Sequence, residues 1–365
     1  MNNILNFTEE KLKTELPGFD IAPYRSTQIF RWLHKHLIIN FDEMNNIPVD
    51  IKKILSENYS IIYPEISNKE TSGITQTSKY LFDNKFESVD MKEKSRRTFC
   101  ISTQAGCNAG CIFCATGYMG FKANLSAGEI VSQVYSILKE EPGMPTNIVY
   151  MGMGEPFLNY ENLLSSLKIL TSENGLEIPA KKITVSTIGI KGKIKTFADD
   201  LLLQENKKIK NIKLALSLHS TNEGLRQQLL PQSKNYPLSE VLKDVVYFYR
   251  KTKSKITYEY IYFEGINDTE DDIKRIKKLC GMVPCNFNII AFHPVEEIFN
   301  SLRKPENKFE EKLYNKLKEP NYSLSNKNLN YFIERLRSEA VITNLRASNG
   351  LDISAACGQL ALKKI

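Results

Sequence analysis

The sequence predicts an α/β protein: a parallel sheet of six β-α units preceded by a small helical domain. Three observations carry this expectation. Short β-branched runs recur around Phe99–Ser102, Asn147–Met151, Ile183–Ser186, Ile212–Ser217, Ile256–Tyr262 and Phe287–Phe292, as buried strands require. Amphipathic segments separate them, and this alternation implies parallel pairing because a parallel neighbour is reached only through a long crossover. Before residue 80, in contrast, the apolar spacing is helical.

From Thr8 to about Tyr63, residues Tyr24, Ile29, Phe30 and Leu33 share one helical face and Ile51, Ile54 and Leu55 another. Pro48 and Asp50 stand where a helix start would want them. Residues 1–80 are therefore expected to form an N-terminal helical accessory domain. Lys79 to Met91 reads as two short strands about the turn Asp83-Asn84, which makes 81–98 a hairpin linker. Residues 99–365 form the main domain. Its clearest helix is Ser239–Lys251, with Val241, Leu242, Val245, Val246 and Tyr249 at helical spacing and Ser239 as N-cap. Residues 296–328 are polar, carry Pro305 and Pro320, and read as an inserted surface segment. Parallel sheets place ligands at the carboxyl ends of their strands, so the chemistry is sought just after each run.

The apolar share is 42% and the charged share 25%, an ordinary globular balance that excludes a disordered chain. No apolar run approaches the length of a membrane span and no signal peptide is evident, so the expectation is a cytoplasmic protein without membrane contact. A net charge of +7 suits a polyanionic partner. Seven cysteines, an odd number without secretion signals, point to metal or redox chemistry rather than a disulfide framework.

Cys107, Cys111 and Cys114 form C-x3-C-x2-C in QAGCNAGCIFCATG, directly after the first strand of the sheet. Three thiolates on a loop with small neighbours Gly106, Ala109 and Gly110 can hold three irons of a [4Fe–4S] cube and leave the fourth open. A structural zinc ion would need a fourth protein ligand, and the immediate flanks offer no Cys or His. After the second strand, VYMGMGEP supplies Gly152 and Gly154, which permit close backbone approach to a ligand, and Glu155, which can take an ammonium group. Cys100 lies in the strand that feeds the cysteine loop. Cys357, between Ala356 and Gly358 in DISAACGQLA, has small neighbours that leave its thiol open to a large substrate. Cys280 and Cys285 read as core cysteines.

The three-cysteine spacing is that of the radical S-adenosylmethionine superfamily. The strings TFCISTQAGCNAGCIFCATG, VYMGMGEPFLNY, ITVSTIGI, ALSLHS and DISAACGQLA together resemble the RlmN/Cfr family of RNA methyltransferases, over residues 8–365 apart from the insertion. The resemblance implies a partial (β/α)6 barrel and a [4Fe–4S] cluster on Cys107, Cys111 and Cys114. It implies S-adenosyl-L-methionine, two molecules per turnover, contacting Gly154, Glu155, Ser186, Ser217, Leu218, His219 and His293, the last standing where relatives carry Asn. It further implies Cys357 as methyl carrier, Cys100 as the thiol that resolves a covalent RNA adduct with formation of a disulfide, and Glu87, in ESVDM, as proton acceptor. Ala105 and Pro156 resemble the RlmN branch, which methylates carbon 2 of adenine, more than Cfr, which methylates carbon 8. The implied substrates are an adenosine of the peptidyl-transferase centre in 23S rRNA and, in some bacteria, the tRNA adenosine beside the anticodon. A flavodoxin or ferredoxin would supply electrons to a monomeric enzyme.

Two strings depart from the family pattern. QQLLPQSKNYP lacks the usual Met-Pro-Ile-Asn, and RASNGLDIS lacks the usual paired acidic residues, changes that bear on RNA selection. For RNA contact the candidates are Lys92, Lys94, Arg96 and Arg97 before the first strand, and Arg25, Arg31, Lys35 and His36 in the helical domain, against the alternative of a solvated basic face. A methylthiotransferase would need a second three-cysteine cluster, for which the remaining cysteines are too scattered. A non-catalytic iron–sulfur RNA-binding protein would leave Cys100 and Cys357 unexplained.

Overall fold

The computed structural model describes residues 1–293 and 326–361, together with 311 and 315, so most of the expected insertion 296–328 lies outside the described residues. The chain opens with β1 (Asn2–Asn3), α1 (Glu9–Glu15), α2 (Pro23–His34), α3 (Val49–Asn58) and β2 (Tyr59–Ser60), the two short strands pairing in parallel. Thr8 caps α1 by accepting the Lys11 N–H, and Pro23 at the first position of α2 uses a site where its missing N–H costs nothing. Ile29, Phe30, Leu33 and His34 form the buried face of α2. Tyr24, expected on that face, is 61% exposed.

The next four strands, β3 (Ile66–Thr71), β4 (Gln76–Phe82), β5 (Phe86–Glu93) and β6 (Arg96–Cys100), form an antiparallel meander. The expected hairpin is present, with Asp83 and Asn84 both at positive φ in its turn. Its surroundings differ from the expectation: the boundary near residue 80 falls inside β4, and the supposed linker is the interior of a larger sheet.

Beyond β6 come the small hairpin strand β7 (Gln104–Gly106), α4 (Ala115–Tyr118), β8 (Phe121–Asn124) and α5 (Ala127–Glu140). The alternating part follows with β9 (Asn147–Tyr150), α6 (Tyr160–Thr171), β10 (Ile183–Thr187), α7 (Lys193–Asp200), β11 (Lys213–Ser217), α8 (Glu223–Leu229), α9 (Leu238–Thr252), β12 (Ile256–Tyr262), α10 (Glu270–Cys280), β13 (Cys285–Ala291), α11 (Asn326–Ser338) and β14 (Thr343–Leu345). All six expected strands are found, and β14 adds a seventh to the parallel set. The ten-stranded order is β14-β13-β12-β11-β10-β9-β6-β5-β4-β3, parallel from β6 to β14. The sheet stays open between β3 and β14, giving the expected α/β architecture of a partial barrel, whose parallel strands end on one rim.

Helix starts follow local chemistry. Ser126 and Glu129 form a capping box on α5. The N-cap of α9 is Pro237, two residues earlier than the expected Ser239, and the helix begins at Leu238. Among the described residues no helix is long and apolar enough to cross a membrane.

The N-terminal layer is tied to the barrel through α5. Gly128 donates its N–H to Asn6 Oδ1 at 2.7 Å, and the buried His34 Nδ1 lies 2.8 Å from Tyr135 Oη. Tyr135→Phe removes the hydroxyl and leaves that buried ring nitrogen without its partner. The variant should lose about 1–3 kcal/mol of stability in urea denaturation while keeping its secondary structure; an unchanged midpoint would show that the bond does not hold the layers together.

Candidate active site

The three motif cysteines occupy residues 107–114 between β7 and α4. Backbone bonds fix this loop: Cys107 N to Gly120 O at 3.1 Å, Ile112 N to Leu229 O at 3.2 Å and Cys114 N to Cys111 O at 3.2 Å. Tyr118 adds its hydroxyl to Ile112 O at 2.9 Å. All three thiols line one cleft at the carboxyl-end rim. Burial raises all three thiols above their ordinary value, Cys107 to about 12.

Gly154, Glu155, Ser186, Ser217 and His219 line the same cleft. The glycines, both lining the cleft, also have a role within the fold. A Cβ on Gly154, at φ +101°, would lie 2.6 Å from the Gln104 side chain, and one on Gly152 would strike Ile101 and Ser102, so both are required for the chain's approach to itself. The Glu155 carboxylate accepts from Thr187 Oγ1 at 2.7 Å, Ile188 N at 2.9 Å and Phe157 N at 3.1 Å. Burial raises it to about 7 against those donors. Ser186 and Ser217 face each other, their hydroxyls 3.3 Å apart. Burial drives His219 down to about 3, so its ring is neutral; Nδ1 accepts the Ile261 N–H at 3.1 Å, which leaves the proton on Nε2.

Two expected contacts lie elsewhere. Leu218 is fully buried and lines neither cleft; its N–H goes to Glu259 O at 3.0 Å and its carbonyl accepts from Arg226. His293 lines an adjoining cleft with Cys100, Cys114, Arg346 and Cys357, and its Nε2 lies 2.6 Å from Ser348 Oγ.

The C-terminal loop brings Cys357 to this adjoining cleft. Gly358 O accepts the Ala115 N–H at 2.7 Å, Leu360 O accepts the Thr116 hydroxyl at 2.8 Å, and Asp352 holds Ser72 Oγ at 2.7 Å and Gly73 N at 2.9 Å. Cys357 is exposed and Cys100, at the end of β6, is 8% exposed; neither is in a disulfide. Burial, reinforced by the neighbouring Cys357, pushes Cys100 up to about 12, while Arg346 acts in the opposite sense. The Arg346 guanidinium is anchored on Glu259 Oε2 at 3.3 Å and rests 3.5 Å from Met151 Sδ. Glu87 lines neither cleft. Its carboxylate receives the Ala361 N–H at 3.0 Å and lies 3.5 Å from Lys79 Nζ.

The comparisons with known proteins agree with this arrangement. Residues 2–61 match the ribosomal RNA large subunit methyltransferase N-terminal domain, and 101–280 the radical SAM superfamily. A probable dual-specificity RNA methyltransferase RlmN of Thermotoga maritima is 38% identical over 100% of this chain and 99% of its own length. The protein of that name from Clostridium novyi is also 38% identical, over 99% and 98%. The chain belongs to the RlmN/Cfr family of radical S-adenosylmethionine RNA methyltransferases. A solved radical SAM methyltransferase of Sphaerobacter thermophilus, 33% identical, superposes with a TM-score of 0.83 over the full length of both chains.

The family implies a [4Fe–4S] cluster and S-adenosylmethionine, and the residues present fit both. Three thiols of one loop open on one cleft, beside a buried carboxylate and two hydroxyls. Among the described residues no three Cys, His, Asp or Glu side chains converge as ligands of a single ion would.

Sequence reasoning passed over Arg346 and Met151, just after β14 and β9, and Glu259, in the middle of β12, all of which line the methyltransferase's cleft. Nothing marks such residues in sequence, since only the sheet register brings them together. In the basic stretch at 92–97, three of the four basic side chains are in ion pairs. Arg97 is paired with Asp90 at 2.7 Å, Arg96 with Glu93 at 2.6 Å, and Lys92 with Glu141.

Glu155 gives the apoprotein a pH dependence. Its raised folded value means that the folded state holds the proton more tightly than the unfolded chain. The associated stability is full below about 4.5 and is lost as pH rises to about 7. The difference in unfolding free energy between wild type and Glu155→Gln should therefore fall by about 3 kcal/mol across that window. Urea titrations at several pH values measure it, and a flat difference would place Glu155 in a less buried setting.

Proposed function

We propose that the chain methylates carbon 2 of an adenine in RNA, with Cys357 as methyl carrier and Cys100 as resolving thiol. The observation that carries the reading is that these two thiols, from opposite ends of the main domain, line one cleft with Cys114 of the cysteine loop. The names of the full-length relatives support RNA as substrate, and Ala105 and Pro156 favour carbon 2 over carbon 8. The peptidyl-transferase adenosine of 23S rRNA and the tRNA adenosine beside the anticodon are the proposed targets.

Cys107, Cys111 and Cys114 hold the cluster, and Gly154, Glu155, Ser186, Ser217 and His219 surround the cofactor. Bound there, the two groups supply a methyl group and, on one-electron reduction, a 5′-deoxyadenosyl radical. Cys357 carries the methyl as a thioether. Loss of a hydrogen atom from that methyl leaves a carbon radical that adds to carbon 2, an electron-poor position with no lone pair for direct transfer, and joins the base to Cys357 by a methylene bridge. Glu87, the proton acceptor that the resemblance implies, takes the carbon 2 proton, and the one electron then left on the adduct would return to the oxidised cluster, so that the bridged species is closed-shell. Cys100 then attacks the Cys357 sulfur: an S–S bond forms, the sulfur–methylene bond breaks, and its electron pair and a proton complete the new methyl group. A buried thiol raised to about 12 is a weak nucleophile, and the Arg346 guanidinium beside it favours the thiolate.

The two outer cysteines have opposite failure modes. Cys357→Ala should carry no methyl group and form no RNA adduct. Cys100→Ala should keep RNA attached as a nuclease-sensitive, slow-migrating band on a denaturing gel; a variant that turns over normally would exclude the two-thiol route. Wild-type product, digested and chromatographed against both standards, should be 2-methyladenosine, whereas 8-methyladenosine would move the protein to the Cfr branch.

A further inference from the structure

Arg226, on the short helix α8, is fully buried beneath the cysteine loop. Its Nε donates to Leu218 O at 3.2 Å, and its Nη2 to Ile188 O at 2.6 Å and Ser217 O at 3.3 Å. Nη1 is buried with no hydrogen-bond partner among the described residues. Glu223, one turn earlier, favours this charge through space but makes no hydrogen bond to it, accepting instead from Gln227 Nε2 at 2.9 Å and from Leu238 N at 2.8 Å. Burial still outweighs that acid and lowers the guanidinium to about 10, and a buried cation hydrogen-bonded only to carbonyls carries a desolvation penalty that a further nearby anion would offset.

The surroundings identify that anion. α8 supports the cysteine loop through the Ile112 N to Leu229 O bond, and Cys111, Ile112, Leu229 and Leu230 share one apolar cluster. Arg226 lies within electrostatic reach of Cys111. The carbonyls it binds belong to the chain just after β10 and at the end of β11, where Ser186 and Ser217 stand.

We propose that Arg226 is the fixed counter-charge of the iron–sulfur centre, favouring its one-electron reduced state while tying the ends of β10 and β11 to the cysteine loop. The proposal rests on Cys107, Cys111 and Cys114 as cluster ligands. Reduction adds one electron from a low-potential donor and one negative charge to the centre, and a fixed cation in a water-poor site stabilises the more negative state. Arg226 is thus a positioning residue that acts on the potential, without touching the RNA.

The test uses reconstituted full-length protein, without RNA, poised at the wild-type midpoint with dithionite and mediators. The reduced fraction is read by electron paramagnetic resonance. Arg226→Gln should lower the ratio of reduced to oxidised cluster about tenfold, a midpoint about 59 mV more negative. Arg226→Lys, which keeps the charge, should recover most of that ratio. Iron lost from the Gln variant but retained by the Lys variant would also support the counter-charge. An unchanged ratio in Arg226→Gln overturns it. So does an equal fall, or equal iron loss, in both variants with normal circular dichroism, since bonding geometry rather than charge would then be what matters. A wild type that does not methylate adenine would sink the functional reading above and leave this ratio where it is.

Discussion

Two hydrogen bonds between the C-terminal loop and the start of α4, Ala115 N to Gly358 O and Thr116 Oγ1 to Leu360 O, govern the geometry of the cleft. They hold Cys357 against a loop 243 residues earlier in the chain, as counted between Cys114 and Cys357. The second anchor of the same segment is Asp352, which holds the Ser72–Gly73 turn between β3 and β4 on the antiparallel side of the sheet. Small residues make the approach possible. Gly358, at φ +82°, lies so close to Phe113 O that a side chain there would crowd the cysteine loop.

Around this junction the protein concentrates ionisable groups that would each prefer water. Glu155 is raised to about 7, Cys100 and Cys107 to about 12, and Arg226 is lowered to about 10, in every case first by burial. Such groups are costly in the apoprotein and become compensated when opposite charges arrive, so loading of the site and stability of the barrel are coupled. The rigid apolar staves beneath, including Leu214, Leu216, Tyr258 and Tyr260, carry the cost without moving.

Much of this was readable in the sequence, and the exceptions have physical causes. The six parallel strands stand out because both faces are buried and their runs are apolar throughout. β3 escaped notice because it is an edge strand with every second residue exposed, and ISNKET offers no apolar alternation. β4 begins three residues before the expected hairpin, and its Lys79 is only 3% exposed, paired with Glu70 at 3.1 Å and with Glu87. The cysteine loop was legible as spacing, a local property. Arg346 and Arg226 were not, because one becomes meaningful only through sheet register and the other only through a missing partner. Glu87 illustrates the converse, a residue whose motif is recognisable while its carboxylate is occupied inside the fold.

The two-sided anchoring of the C-terminal loop also orders events during synthesis. The cysteine loop and the strands that flank it emerge from the ribosome early, whereas residues 350–361 follow some hundreds of residues later, so a long contact separation must close before the cleft is complete. Domains form as units while the chain is still growing. A nascent chain can thus gather its three loop thiols in one place, with the exposed thiol still inside the translation machinery. Assembly of the reactive pair is thereby deferred until the strands from β6 to β13 have emerged.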